Sequence, residues 1–169
     1  MSGLTVFGLH RFFLLVRAMF PPAPHLLQKQ TNRSPEPVIC LPTVTVQLPV
    51  YNEKHVVKRL IDAVCHLDYD IEKLDIQVLD DSTDDTKAFV DDAVHFWRNK
   101  GYPINVIRRS GREGFKAGAL AAGLQCSSAQ FVVIFDADFI PAPEFLKAAL
   151  PEFTHDNIGM VQALSLIHI

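Results

Sequence analysis

The sequence predicts an α/β fold, a mostly parallel sheet with helices on both faces. Three observations predict it. Short β-branched and apolar runs alternate with segments of helical periodicity, in the order β-α-β-α-β-α-β-α-β across residues 43–161. One run, Phe131-Val132-Val133-Ile134-Phe135, is apolar throughout, the pattern of a strand buried on both faces. Each run then stops abruptly at polar residues, as strands do where an open α/β sheet delivers side chains to a crevice beyond its carboxyl edge.

Each element has a local cause. Residues 43–49 alternate with β-branched positions and read as the first strand. From Asn52 to Leu67, the apolar residues Val56, Val57, Leu60, Ile61, Val64 and Leu67 recur at helical spacing, with Asn52 as N-cap. Residues 74–79 form the second strand. Ser82 or Thr83 caps the next helix, which carries Phe89, Val90, Ala93, Val94 and Trp97 and stops at Gly101. Residues 104–107 are the third strand, and 116–124 a short Ala-rich helix. After the fourth strand, Pro143 opens a helix at its first turn, and residues 158–161 begin a fifth strand.

The chain has 169 residues, 49% hydrophobic and 21% charged, which suits one globular domain with its own core and excludes a disordered chain. Cys40, Cys65 and Cys126 form no C-x-x-C pair, which argues against a zinc ribbon or disulfide framework and for a reducing compartment with buried, inert thiols. Arg11, Arg17, Lys29 and Arg33 oppose only Glu36 in residues 1–40, whereas the remainder is acidic. An acidic body excludes duplex nucleic acid as the partner. The basic arm suits an anionic membrane surface. Residues 4–20 are apolar but are interrupted by His10, Arg11 and Arg17, so they make no complete transmembrane helix. They read as an interfacial helix or as a helix end packed on protein. The expected organisation is a juxtamembrane segment over 1–20, a Pro-rich linker over 21–42, a domain over 43–163 and a non-native tail over 164–169.

The strand ends carry the chemistry. Asp136-Ala137-Asp138 emerges from a wholly apolar strand, and two carboxylates one residue apart can meet at one small cation and its bound phosphates. Asp80-Asp81-Ser82-Thr83-Asp84 suits a helix N-terminus, which accounts for the last three residues better than for the tandem Asp80-Asp81. One of that pair could accept hydrogen bonds from a base or ribose. Gly111 to Leu120 places glycines ahead of a small-residue helix, and Arg108, Arg109, Arg112 and Lys116 form the one dense basic cluster of the acidic body, fitting a diphosphate. Read blandly, these are solvated loops and helix caps.

Four runs together resemble family 2 glycosyltransferases: Leu48-Pro49-Val50-Tyr51-Asn52-Glu53, Gln77 to Asp84, Lys116-Ala117-Gly118-Ala119-Leu120 and Phe135-Asp136-Ala137-Asp138-Phe139. The cellulose-synthase-like branch, of β-mannan (glucomannan) synthase type, is the most similar. The resemblance spans about residues 43–163 and implies a GT-A nucleotide-diphospho-sugar transferase fold. It implies inverting transfer of a hexose from GDP-mannose or UDP-glucose to a growing β-glycan or other acceptor, with Mg²⁺ or Mn²⁺ as cofactor. On that basis Asp80 and Asp81 hold the nucleoside, Lys116 approaches the diphosphate, and Asp136 and Asp138 engage the metal and the donor. Pro49, Tyr51 and Glu53 complete the donor-binding set. The Gly-Leu-His-Arg-Phe run at residues 8–12 resembles the stretch after a first membrane helix, which implies a membrane-associated full-length protein with its catalytic domain in the cytoplasm.

The family's Thr-Glu-Asp-like general-base motif and its Gln-x-x-Arg-Trp acceptor motif are absent from these residues, and after Val161-Gln162 the chain reads Ala163-Leu164-Ser165. The expectation is a truncated reading frame whose catalytic base lies beyond the C-terminus, so that the chain binds donor without full catalysis. Two alternatives stand beside it. One is a haloacid-dehalogenase-like phosphohydrolase with Asp136 as nucleophile, against which D-x-D comes late in the chain. The other is a non-catalytic nucleotide-sugar-binding fragment. A dinucleotide oxidoreductase is disfavoured, because no Gly-rich turn follows the first strand.

Overall fold

The computed structural model describes residues 41–153 and 158–162. The juxtamembrane segment, most of the Pro-rich linker, Cys40 and the expected non-native tail lie outside the described residues. Strands β1 (Val44–Val50), β2 (Leu74–Asp80), β3 (Ile104–Ile107) and β4 (Phe131–Ile134) form one sheet in the order β3-β2-β1-β4. Every pairing is parallel, with Val44 opposite Leu74 and Val50 opposite Asp80 across β1 and β2. Helices α1 (Val57–Cys65), α2 (Thr86–Asn99), α3 (Phe115–Gln125) and α4 (Phe145–Ala149) connect or follow the strands.

The order of the strands places the helices. From β1 to β3 the chain steps one way across the sheet, then returns to set β4 on the far side of β1. Parallel crossovers are right-handed, so reversing direction moves the connecting helix to the opposite face. Accordingly α1 and α2 pack on one face, where Val44, Val46, Leu48, Ile76 and Val78 meet Leu60, Ile61, Val64, Val90, Val94 and Trp97. Full burial of each Val, Leu or Ile here contributes about 1.5–3 kcal/mol. On the other face α3 lies close enough that a Cβ on Gly123 would stand 2.6 Å from Gln47 Nε2 and 2.8 Å from Leu79 Cδ2.

That second face is polar where α3 covers it. Gln47 Nε2 donates to Gln77 Oε1 (3.1 Å), Gln77 Nε2 to Asp75 Oδ2 (3.0 Å), and Thr45 Oγ1 to the same Asp75 oxygen (3.1 Å). Buried polar groups are retained only with partners, and here they partner one another across β1 and β2.

The structure corrects several local expectations. Asn52 does not cap α1. It adopts φ +56° and its side chain turns to the loop after β2, while α1 begins five residues later with no side-chain cap. Neither Ser82 nor Thr83 caps α2; Asp84 Oδ1 accepts from Thr86 N (3.0 Å), and hydrogen bonding from Thr86, its side chain before its backbone, holds the Asp84 carboxyl below its ordinary range. Pro143 precedes α4 rather than opening it, and its carbonyl accepts from Asp68 N (2.8 Å). Residues 158–162 form no strand. β4 is not buried on both faces. Phe131 and Val133 pack on the core, but Val132 and Ile134 are 38% and 48% exposed, because among the described residues β4 is the edge strand and α3 seats over β1 and β2.

Gly101 closes α2 as expected, at φ +90° with its N–H on Arg98 O (2.9 Å). Trp97 is buried, and its indole N–H donates to Asp62 Oδ1 (2.7 Å). Burial, with Asp62 nearby, pushes the Cys65 thiol up to about 12, so it is inert at neutral pH, whereas Cys126 is exposed and not buried as expected. Among the described residues no helix is long and apolar enough to cross a membrane.

Candidate functional site

Register brings the polar strand ends to one edge. Asp81 N donates to Val50 O (3.1 Å) and Phe135 N to Gln47 O (3.1 Å), so the segment 135–138 runs beside the last residues of β1. The loop after β1 is tied to the loop after β2: Asn52 N donates to Ser82 Oγ (3.0 Å), and Thr83 N donates to Asn52 Oδ1 (2.9 Å). Asparagine tolerates the left-handed backbone this requires.

These ends enclose a cavity of about 550 Å³. Seven of the eight donor-set residues line it: Pro49, Tyr51, Glu53, Asp81, Lys116, Asp136 and Asp138. Asp81 and Asp136, 55 positions apart in sequence, therefore share one pocket. Two larger grooves, about 820 and 630 Å³, flank α2 and gather Phe96, Lys100 and Asp92 away from the strand ends.

Asp80 stands apart. Its side chain is fully buried, with Oδ1 accepting from Ser82 N (3.0 Å) and Oδ2 from Arg108 Nε (2.8 Å). Arg108 also pairs with Asp91 (2.9 Å). Burial opposes the Arg108 charge, but its hydrogen bonds to Asp91 and Asp80 prevail and raise its pKa above the ordinary arginine value. Asp80 shares the sheet face of Ile76 and Val78, whereas Asp81 continues the face of Gln77 and Leu79, where the cavity lies. Asp80→Asn, which keeps an acceptor for Ser82 but loses the charge pair, is expected to lower unfolding stability by about 1–3 kcal/mol. Urea denaturation checks this; an unchanged midpoint would contradict the buried pairing.

Arg109 organises the other side. Its fork grips both oxygens of Asp81, through Nε (3.1 Å) and through an Nη2–Oδ2 ion pair, which raises the arginine pKa. It also donates to the carbonyls of Glu113 (2.8 Å) and Phe115 (3.0 Å). The loop enters α3 through two left-handed residues, Gly114 (φ +68°) and Phe115 (φ +48°). It folds so closely over the helix that only glycine fits at position 118, where a Cβ would stand 2.0 Å from Glu113 O. Lys116, in the first turn of α3, forms an ion pair with Asp136 across the cavity.

Arg112 lines the cavity but was absent from the donor set inferred from sequence. The sequence grouped it with Arg108, Arg109 and Lys116 as a diphosphate cluster. The structure divides that cluster: Arg108 and Arg109 are bound to Asp80 and Asp81, and Arg112 lies on the Tyr51 ring. The charge match between the Asp80-Asp81 and Arg108-Arg109 pairs was the available signal.

The donor set can be tested against a divalent cation. Among the described residues no group of three or more His, Cys, Asp or Glu side chains is placed to hold a metal. Two exposed carboxylates, Asp136 and Asp138, open onto a cavity that also holds Lys116. Mg²⁺ and Mn²⁺ favour hard oxygen ligands, and Mg²⁺ is commonly held by one or two carboxylates plus substrate phosphates rather than a protein cage, so the residues fit.

Residues 45–167 match the family model for Glycosyl transferase family 2. A glucomannan 4-beta-mannosyltransferase 2 of Arabidopsis thaliana is 47% identical over 127 residues, which is 72% of this chain and 24% of that protein. The chain thus spans about a quarter of the length of the curated relatives it matches. Among solved structures, the mannosyltransferase PcManGT from Pyrobaculum calidifontis, in complex with GDP-Man and Mn²⁺, is similar at TM-score 0.65 and 29% identity over 90% of this chain and 42% of that one. The S. aureus TarS fragment 1-349 is similar at TM-score 0.55 and 25% identity, over 63% and 30% of the two chains.

Proposed function

This chain belongs to glycosyl transferase family 2, and on that premise we propose that it carries the donor-binding half of a metal-dependent, inverting hexosyltransferase that takes GDP-mannose. The observation that carries the proposal is the convergence of Asp81, Lys116, Asp136 and Asp138 on one cavity at the carboxyl edge of a parallel sheet. The similarity to named mannosyltransferases, and to a neighbour whose structure holds GDP-Man and Mn²⁺, favours mannose over glucose. A phosphohydrolase with Asp136 as nucleophile is disfavoured by the family membership.

In this reading Asp81, oriented by Arg109, accepts hydrogen bonds from the nucleoside. Asp80 is a positioning residue that anchors the turn beneath it. Lys116 exchanges Asp136 for the donor diphosphate, whose negative charge the N-terminal end of α3 also favours. Asp136 and Asp138 hold Mg²⁺ or Mn²⁺, which when bound neutralises charge on the departing diphosphate. The hexose passes to a growing β-glycan or other acceptor, and the residues of this cavity act on the donor side of the transfer. The basic arm over residues 1–40 supports placement of the full-length protein at an anionic, cytoplasmic membrane surface.

Calorimetric titration with GDP-mannose in Mn²⁺ and in EDTA tests the proposal. Binding in Mn²⁺ that EDTA abolishes is the expected result. No binding in Mn²⁺, or equal affinity in EDTA, would overturn it.

A further inference from the structure

Three arginines arise within five positions of the loop after β3, and two of them are fully engaged. Arg108 and Arg109 set their Nε atoms on carboxylates, Asp80 at 2.8 Å and Asp81 at 3.1 Å. Arg112 does not. Its guanidinium carbon lies 3.3 Å from the centroid of the Tyr51 ring and 5.4 Å from that of Phe115. Its Nε is buried and has no hydrogen-bond partner among the described residues.

Two opposed effects act on that conformer. A guanidinium over a tyrosine face is attracted to it. A buried N–H without an acceptor loses its hydration with nothing in return. The two effects are of similar size, so the stacked position is weakly held.

Tyr51 stands in the cavity beside Asp81 and is 40% exposed. A planar heteroaromatic base stacks on an aromatic face as a guanidinium does. With Asp81 lining the same cavity to accept from base N–H groups, the Tyr51 ring is a surface there suited to a base, and Arg112 covers it. We propose that Arg112 is a self-stacking latch on Tyr51, competing with the base of the donor nucleotide for that ring and so setting nucleotide affinity. The proposal rests on the reading of the cavity as a nucleotide-sugar site.

Two probes separate the base from the phosphates: guanosine and inorganic pyrophosphate with Mn²⁺, each titrated by ligand-observed NMR into the full chain. The variants are R112A, which removes the plate and the charge, and R112K, which keeps the charge and removes the plate. Matched thermal unfolding shows that both are folded. Both variants are expected to bind guanosine more tightly than the unmodified chain, on the order of fivefold, with pyrophosphate affinity unchanged. Guanosine affinity that is unchanged or lower in both variants overturns the latch, as does tightening in R112A alone, which would reflect charge rather than stacking. Pyrophosphate affinity that falls in R112A also overturns it, and makes Arg112 a phosphate ligand. If pyrophosphate binds but guanosine binds to no form, the latch falls while the phosphate half of the cavity stands. If neither probe binds any form, the nucleotide-sugar reading fails, and the latch with it.

Discussion

Asp138→Asn is expected to weaken Mn²⁺-dependent binding of GDP-mannose by at least about a hundredfold. Loss of a residue that merely orients a metal ligand costs up to about 100-fold in metal affinity, so loss of a direct ligand is expected to cost at least as much. Asp138 is the cleaner of the two carboxylates to remove. Among the described residues it makes no ion pair, whereas Asp136 is paired with Lys116, so Asp136→Asn would also release a cation into the cavity. The neutral amide keeps the size of the side chain and removes the negative charge that would hold the cation against the diphosphate. Calorimetry with GDP-mannose, together with Mn²⁺ titration by electron paramagnetic resonance, reads both halves of the effect. Full affinity in Asp138→Asn would remove this residue from the metal site.

Gly118→Ala has the second largest expected effect, and its sign runs against helix propensity. Alanine is better than glycine in a helix interior by about 1 kcal/mol. Here the added Cβ would stand 2.0 Å from the carbonyl oxygen of Glu113 and 2.5 Å from Arg109 Nη1. The first is backbone and the second is already bonded to that same carbonyl at 2.8 Å, so neither can yield alone. The loop before α3 must lift, loosening Arg109 from Asp81 and moving Lys116, two residues from the change. Donor affinity is expected to fall at least about tenfold, since displacing positioned groups by about an ångström is costly. Gly159→Ala, where nothing lies within 4 Å of the added Cβ, serves as the unaffected control. Unchanged GDP-mannose affinity in Gly118→Ala would show that loop and helix move independently.

Much of this architecture is written in local pattern. Period-two alternation and helical spacing set the four described strands and the helices between them, and the abrupt passage from Ile134-Phe135 to Asp136-Ala137-Asp138 marks a strand end by itself. The motif runs carry the family directly, because chemistry at strand ends requires those residue types at those spacings. Periodicity does not carry pairing. β4 has the composition of a central strand, but its exposure depends on what lies beside it: an edge position with α3 over β1 and β2 leaves Val132 and Ile134 uncovered. Asn52 has the chemistry of a helix cap, and a partner 31 residues away took its side chain instead.

The tandem Asp80-Asp81 shows where the division falls. The sequence by itself determined that two carboxylates would end β2 and that two arginines would follow β3. Adjacent residues of a strand face opposite sides, so only one of the pair could enter a site. Which one depended on where α3 lay, and that was decided by the chain reversing direction after β3, which put α3 and Lys116 on the face opposite α1 and α2. Asp80 was thereby turned into the layer beneath α2 and matched to Arg108, and Asp81 into the cavity and matched to Arg109. The carboxylates are local facts of the chain, and their separate tasks follow from crossover handedness and strand order, which act only once the sheet is assembled.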